Sequence, residues 1–346
     1  MSNLSDHLFG ITVVLYVLGM AVFSADLAFR RKAVPLFRAG DVVRRSPQAA
    51  QVQSAKVEDR ALVGAGVGSR ASSVPAARPA TGGGRASGST GGSAGGIGSD
   101  DGWTRVATAA TVITVVGWLT HLATIVTRGF AAGRVPWGNM FEFSTVVAFI
   151  VVTAFLGLLA KQRVRWLGTF VLLPTVLYMG LAGTVLYKQA GPLVPALNSY
   201  WLKIHVFAAI TATGLFFVSG IVALLYLAKS YRPDGPLLSR LPSADRLERT
   251  TYGLVALSFP IWTFAIIAGA IWAEAAWGRY WGWDPKETWS FITWVIYAGY
   301  LHARSTAGWR GRRAGWFAVA AFAALIINYY VVNIWIVGLH SYAGVQ

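Results

Sequence analysis

The chain has no cysteine, but two of its five histidines, at positions 205 and 340, and one stretch crowded with tryptophan could do chemistry. That stretch, WGRYWGWDPKETWSFITW at 277–294, holds five of the 15 tryptophans. Indole rings spaced by glycine are typical of a surface that binds a large, flat, apolar ligand. Neutral imidazoles are good iron ligands, and two of them can fill both axial positions of a haem. These residue types predict a haem-binding site.

Each feature also has a simpler interpretation. Tryptophan is enriched at membrane interfaces, because its ring is apolar and its N–H is polar. The run Asp284-Pro285-Lys286-Glu287 predicts a helix start, with Asp284 as N-cap and Glu287 at the capping-box position. Composition alone leaves an interfacial belt and a ligand site equally open, and the two histidines favour the ligand site. The six indoles around the stretch exceed what one helix end needs; they are Trp272, Trp277, Trp281, Trp283, Trp289 and Trp294.

The elements that position these residues are predicted to be membrane-spanning helices. Of the 346 residues, 55% are hydrophobic and 13% charged, and the mean hydropathy is +0.52, which excludes an ordinary soluble protein. Several apolar runs are long enough to cross a bilayer as helices. We predict an all-α, polytopic bundle with both termini external and about eight crossings: 7–29, 104–127, 141–160, 166–187, 205–228, 252–273, 287–303 and 314–338.

The chain's positive charge predicts its orientation in the membrane. The predicted cytoplasmic segments carry 24 of the 30 lysines and arginines, and the opposite side carries six. Basic residues mark the cytoplasmic side. The net charge of +16 is therefore mainly an orientation signal, and we expect no nucleic-acid partner. In this topology the tryptophan-rich loop, 272–290, and both His205 and His340 lie on the external face, whereas His302 lies at a cytoplasmic helix end.

Three regions follow from these patterns. Residues 1–29 form an N-terminal transmembrane helix, and residues 104–346 form the membrane domain. The segment 30–103 is rich in Gly, Ser, Ala and Arg. Because it cannot bury enough apolar surface to fold, we interpret it as a disordered cytoplasmic tether. Without cysteine, any thiol chemistry must belong to a partner.

The tryptophan-rich stretch resembles the WWD signature of the haem-handling proteins of cytochrome c biogenesis. The chain is most similar to the CcsA/ResC type, called CcsB in actinobacteria, over most of residues 104–346. The tether is not part of the resemblance. The matching motifs follow one another in the family's order: VPWGNMFEFS, PALNSYWLKIHV, the WWD block, YLHAR and GLHSYA.

The resemblance implies a role for each matching residue. His205 and His340 match two external axial ligands of haem iron, and His302 matches a membrane-embedded histidine of a second, inner haem position. Arg279 or Lys286 could pair with haem propionates. The cofactor implied is haem b, and the implied binding residues are His205, His340, His302, Trp277, Trp281, Trp283, Asp284 and Trp289.

The resemblance also implies a function in the cell membrane. Haem is brought to the external face and presented to apocytochrome c, whose CxxCH cysteines form thioethers with the vinyl groups. The chain would be the haem-delivering subunit of a System II cytochrome c synthase, enzymatic only as part of that complex. Implied partners are a ResB/Ccs1-type membrane protein, apocytochrome c, a thioredoxin-like thiol reductant and membrane lipid. Alternatives are a haem transporter without a ligation role and a non-catalytic assembly subunit.

Two further ionisable residues have more than one interpretation. His121, in the second predicted helix, is either a polar link between helices or a haem ligand, and the link is favoured. Glu142 opens the third predicted helix after WGNMF, where capping and a functional role are both open.

Overall fold

A computed structural model describes residues 2–29, 105–162, 164–191, 199–306 and 308–340. The predicted tether lies outside these residues, as do parts of the segment before His205 and of the C-terminal tail. The described residues contain no β-strand. Their main helices are α1 (Ser2–Phe29), α2 (Arg105–Ala132), α3 (Met140–Gln162), α4 (Leu167–Thr184), α5 (Tyr200–Tyr231), α6 (Ala244–Trp277), α7 (Pro285–Ser305) and α8 (Arg312–Ile326).

The last helix does not stop at Ile326. It continues through a π-helical turn, Ile327–Val331, into the short helix α9, Val332–Trp335. A π turn inserts an extra residue into the helix and is frequent near functional sites. Here it precedes the tail that carries His340.

Seven helices of the described residues are long and apolar enough to cross a membrane, namely α1 to α6 and the segment Arg312–Trp335. Many of their large apolar side chains face outward, which is typical of lipid-facing surfaces; examples are Val14, Leu119, Leu177 and Phe264. The predicted helices therefore form, and the architecture is that of a multi-pass membrane protein. The eighth predicted crossing, 287–303, also forms as helix α7, but α7 is not among the seven, because its sequence is less apolar.

Helix α5 lies at the centre of the bundle. About two thirds of the residues in its apolar 18-residue stretch are buried, a larger share than in any other spanning helix of the described residues. One core cluster joins α5 to α1, α3 and α4, and a second joins it to α6, α7 and α8. Because α5 contributes to both clusters, the histidine near its N-terminus lies on the most buried of the spanning helices.

The connection between α6 and α7 is fixed at both ends. Gly278 ends α6 in the left-handed conformation, with φ 69°, which glycine adopts without strain. Asp284 caps α7, Pro285 follows, and Glu287 completes the capping box, as the sequence predicts. The Glu287 carboxylate accepts hydrogen bonds from the backbone N–H groups of Gly282 (2.8 Å) and Asp284 (3.0 Å). The tryptophan-rich loop is therefore tied to the first turn of α7.

Candidate functional site: a tryptophan-lined cavity between two histidines

His205 lies in the second turn of α5 and packs against α6. Its Nδ1 lies 2.8 Å from the carbonyl oxygen of Ala265, and its ring stacks on Trp272 with centroids 6.0 Å apart and planes 11° apart. A carbonyl can only accept a hydrogen bond, so Nδ1 carries the proton. The lone pair is left on Nε2, which is the form that binds a metal.

His340 lies in the tail beyond α9. Its Nδ1 lies 2.8 Å from Oδ2 of Asp284, and its ring centroid is 5.8 Å from that of Trp272 and 5.1 Å from that of Trp277. The carboxylate accepts, so Nδ1–H donates and Nε2 again keeps the lone pair. Two residues that are 135 positions apart thus meet at one indole, that of Trp272.

Asp284 holds the tail against the start of α7. It accepts hydrogen bonds from the backbone N–H groups of Leu339 (2.7 Å) and Lys286 (3.2 Å), besides the imidazole of His340. Burial by itself raises the pKa of Asp284, but these hydrogen bonds outweigh it, and the net pKa is lowered. The group is therefore a carboxylate at neutral pH, with one oxygen committed to His340.

An open cavity extends from the two histidines, and its empty space of about 820 Å³ includes solvent at the mouth. Its aromatic lining suits a flat, apolar ligand. A second region of about 670 Å³ borders the same two histidines on the side of Trp137, Phe143 and Tyr329. The aromatic and apolar wall of the larger cavity includes Trp262, Trp272, Trp277, Trp281, Ala265, Gly269 and Ala273.

The predicted tryptophans divide into two groups. Trp277 and Trp281 line the larger cavity, whereas Trp283 and Trp289 do not line either region. Trp283 is 65% exposed and adopts φ 57°, and its ring contacts those of Trp281 and Phe291. Gly282 does not face a ligand, since the guanidinium of Arg279 occupies the space beside its Cα. These parts of the loop build its outer surface.

Lys286 places a cation on the wall of both regions. Its Nζ lies 3.4 Å from the carbonyl oxygen of Asn328 and 5.7 Å from the ring centroid of Tyr329. An anionic group of a bound ligand would stabilise the charged form.

The other candidate residues lie elsewhere. His302 is exposed near the opposite end of α7 and lines neither region. His121 is fully buried, and its Nδ1 lies 3.1 Å from the hydroxyl of Tyr16, which joins α2 to α1 and favours the helix-linking interpretation. Asn139 differs from these two, because it lines the second region and also caps α3 by accepting the N–H of Glu142 (2.9 Å).

Sequence reasoning missed the wall formed by α6. Trp262, Ala265, Gly269 and Ala273 recur at helical spacing and face the cavity. The signal is present in the sequence as small residues four positions apart between two tryptophans, which leaves a groove beside a row of indoles.

Gly269 is expected to be essential for the position of His205. A Cβ at residue 269 would lie 2.7 Å from Nδ1 and Cε1 of that ring, closer than the atoms can approach. We predict that Gly269→Ala displaces the imidazole and lowers haem affinity by about tenfold or more, as loss of an oriented metal ligand does. Haem titration of the purified protein measures this. The matched control is Gly253→Ala on the same helix, where a Cβ meets nothing within 4 Å; equal affinity in the two variants would contradict the prediction.

The donor set fits a haem better than a bare metal ion. Across the described ranges, no group of three or more His, Cys, Asp or Glu side chains could hold an ion. A porphyrin supplies four nitrogens to its iron and requires only two axial ligands, which the two imidazoles can provide. The apolar, aromatic wall suits the porphyrin face.

Comparison with known proteins shows the family to which this chain belongs. The model of the family described as cytochrome C assembly protein matches residues 137–340, which include both histidines. A "Cytochrome c biogenesis protein CcsA" from Gloeobacter violaceus is 34% identical over 292 residues, covering 68% of this chain and 85% of the relative. A protein of the same description from Porphyra purpurea is 31% identical over 276 residues, covering 67% and 86%.

A solved structure shares the fold. The "Cytochrome c Heme Lyase CcmF" superposes with a TM-score of 0.56 at 15% identity, over 95% of this chain. Because the identity is so low, the likeness concerns the fold alone. This chain spans 46% of the length of that protein. The family model and the CcsA relatives together decide the assignment. The chain belongs to the cytochrome c assembly protein family and is of the CcsA type.

Proposed function

We propose that this protein binds haem between His205 and His340 and presents it for covalent attachment to apocytochrome c. The observation that supports this most directly is that both imidazoles have Nδ1–H committed to fixed acceptors and border one tryptophan-lined cavity. Each ring therefore offers Nε2 to iron. The other parts of the site position the haem, since catalysis of this kind consists mostly of holding reactants in place.

The chemistry of attachment needs no nucleophile from this chain. Haem b supplies two vinyl groups, and the cysteines of a CxxCH segment supply the thiols. In each addition, sulfur bonds to one vinyl carbon and the thiol hydrogen goes to the other, so the reaction consumes no oxidant or reductant. Because this chain has no cysteine, its own side chains cannot compete for the vinyl groups.

We propose that α7 is the eighth crossing. Asp284, at the start of α7, hydrogen-bonds His340, just beyond the last helix, so those two helix ends lie at one end of the bundle. The 21 residues of α7 span about 31 Å, the thickness of the hydrocarbon core. With eight crossings, we propose that both termini and the haem site lie on the external face of the cell membrane, which the distribution of basic residues supports.

We propose Lys286 as the partner of a haem propionate. Its ammonium borders both regions of the site, and its described contacts are a carbonyl oxygen and an aromatic face. A carboxylate there would offset the desolvation of the cation. Arg279 is a weaker choice, because its guanidinium packs over Gly282 outside the cavity.

His302 remains the proposed ligand of a second, inner haem. Helix α7 separates it from Asp284 by about 27 Å, so it cannot serve the outer site. Its exposed position on α7 requires a further ligand from a partner, which we propose to be a ResB/Ccs1-type membrane protein. A thioredoxin-like protein would keep the substrate cysteines reduced.

Reconstitution tests the function. Haem is supplied on one chosen side of vesicles containing this protein, the partner and a CxxCH peptide. Covalent haem on the peptide supports the synthase role. Haem movement without covalent attachment would favour a pure transporter, and neither haem binding nor movement would favour an assembly subunit.

The tether is proposed to be a spacer. We predict that deleting residues 45–95 leaves cytochrome c maturation within about twofold of the full chain, because a sequence this rich in Gly, Ser and Ala has too few large apolar residues to support a distant site. Haem-stained cytochrome c in cells measures this, with the level of the membrane protein as control. Loss of maturation at a normal protein level would contradict the spacer role.

A further inference from the structure

The two histidines of the site are held by hydrogen-bond acceptors of different kinds. His205 donates to a neutral backbone carbonyl, that of Ala265, and His340 donates to the carboxylate of Asp284, both at 2.8 Å. The distances are equal, so the difference lies in the charge of the acceptor. This difference is not visible in the sequence, where both residues are histidines near helix ends.

An anionic acceptor changes the ligand strength of an imidazole. A carboxylate bonded to Nδ1–H draws the proton toward itself and increases electron density on Nε2, which makes the ring a more basic ligand. A carbonyl acceptor fixes the tautomer but has a smaller effect, because charge-assisted hydrogen bonds are roughly twice as strong as neutral ones.

The Asp284 carboxylate is fixed in place. Its side chain is 4% exposed, and it accepts the N–H groups of Leu339 and Lys286 as well as the imidazole. Gly338 packs so closely that a Cβ there would lie 2.7 Å from Oδ1. The contact with His340 is thus built by three backbone constraints and is more than a chance approach of two flexible groups.

From this asymmetry we infer that the two axial ligands are inequivalent, with His340 the strong ligand and His205 the weak one that an incoming ligand replaces. The inference rests on the proposed function, since it assumes that both rings bind iron. Asp284 is then a positioning residue that acts through His340. During transfer, the histidine of a substrate CxxCH segment would replace His205 as a ligand of the haem iron, and His340 would remain bound.

Ligand replacement measures the inequivalence directly. The variants His205→Gly and His340→Gly each leave a hole that free imidazole can fill, and visible spectra report the binding. Imidazole in the His340 hole can still donate to Asp284, whereas in the His205 hole it meets only the carbonyl. We expect imidazole to bind about 10–100-fold more tightly in His340→Gly. Adding Asp284→Asn should remove that advantage and leave the affinity in His205→Gly nearly unchanged.

A second readout does not depend on added ligand. In the otherwise unaltered haem-loaded protein, Asp284→Asn should raise the reduction potential, because a neutral acceptor stabilises ferric iron less. Asp284→Glu should restore part of the shift. The control Glu274→Gln removes an exposed carboxylate near the end of α6 and should leave the potential unchanged.

The outcomes separate the inference from the function on which it rests. If imidazole restores a bis-imidazole spectrum in both variants with equal affinity, the inequivalence is wrong and the ligand assignment stands. If it restores the spectrum in neither, the assignment of the two ligands is wrong. A potential unchanged by Asp284→Asn would also overturn the inference.

Discussion

Full-length protein purified with His340 or His205 replaced by glycine is expected to retain less than about a tenth of the haem that the unaltered protein carries. Each substitution removes one of the two proposed axial ligands and, with it, the hydrogen bond that fixes the imidazole's orientation. The pyridine haemochrome assay measures the haem content per protein.

The control for this experiment is His121→Gly. His121 is fully buried between α1 and α2, away from both cavity regions, so its loss tests whether removing any buried histidine lowers haem content. We expect haem retention per folded protein to stay near that of the unaltered chain. Full retention of haem by both site variants would remove the axial ligands from the proposal.

The second large effect is expected at Glu142, far from the iron ligands in sequence. Its side chain is fully buried and accepts from Arg128 Nε (3.2 Å), Arg134 Nη1 (2.7 Å) and the N–H of Gly138 (2.9 Å). Arg128 also donates to the carbonyl of Lys188. One carboxylate thus pairs with two guanidinium groups. Through Arg128, the cluster links α2, the start of α3 and the segment after α4.

Replacing Glu142 by glutamine removes the carboxylate partner of Arg134 and leaves Arg128 with the more distant carboxylate of Asp6, at 3.7 Å. We expect a loss of about 3–5 kcal/mol in the free energy of unfolding, as is typical when one partner of a buried ion pair is removed. Thermal unfolding in detergent, followed by tryptophan fluorescence, measures the change. The matched control is Glu274→Gln, because Glu274 is exposed. If both variants melt at the temperature of the unaltered protein, the cluster does not stabilise the fold.

The sequence alone did not decide the role of Glu142. From sequence, Glu142 had two interpretations, capping and function, since an acidic residue at a helix start fits both. The structure shows the cap, because Asn139 Oδ1 accepts the N–H of Glu142 and the Glu142 carboxylate accepts the N–H of Gly138. It also adds the two arginines. Arg134 is close in sequence, but its approach to Glu142 depends on a turn that side-chain patterns do not specify.

The helices and the start of α7 were determined by the sequence itself. Apolar runs of about 20 residues specify helices because a backbone in lipid must satisfy its own hydrogen bonds. The capping box at Asp284 is equally local, since all its groups lie within four residues. The candidate ligands were also found from residue type, together with the resemblance of their motifs to a known family.

Only the tertiary structure decided how these residues meet. The pairing of His340 with Asp284, the stacking of His205 on Trp272 and the space that Gly269 leaves for that ring join different helices. The same packing separates Trp277 and Trp281, which line the cavity, from Trp283 and Trp289, which do not. The physical reason is that helical periodicity specifies which residues share a face, whereas the neighbour of that face depends on how whole helices pack.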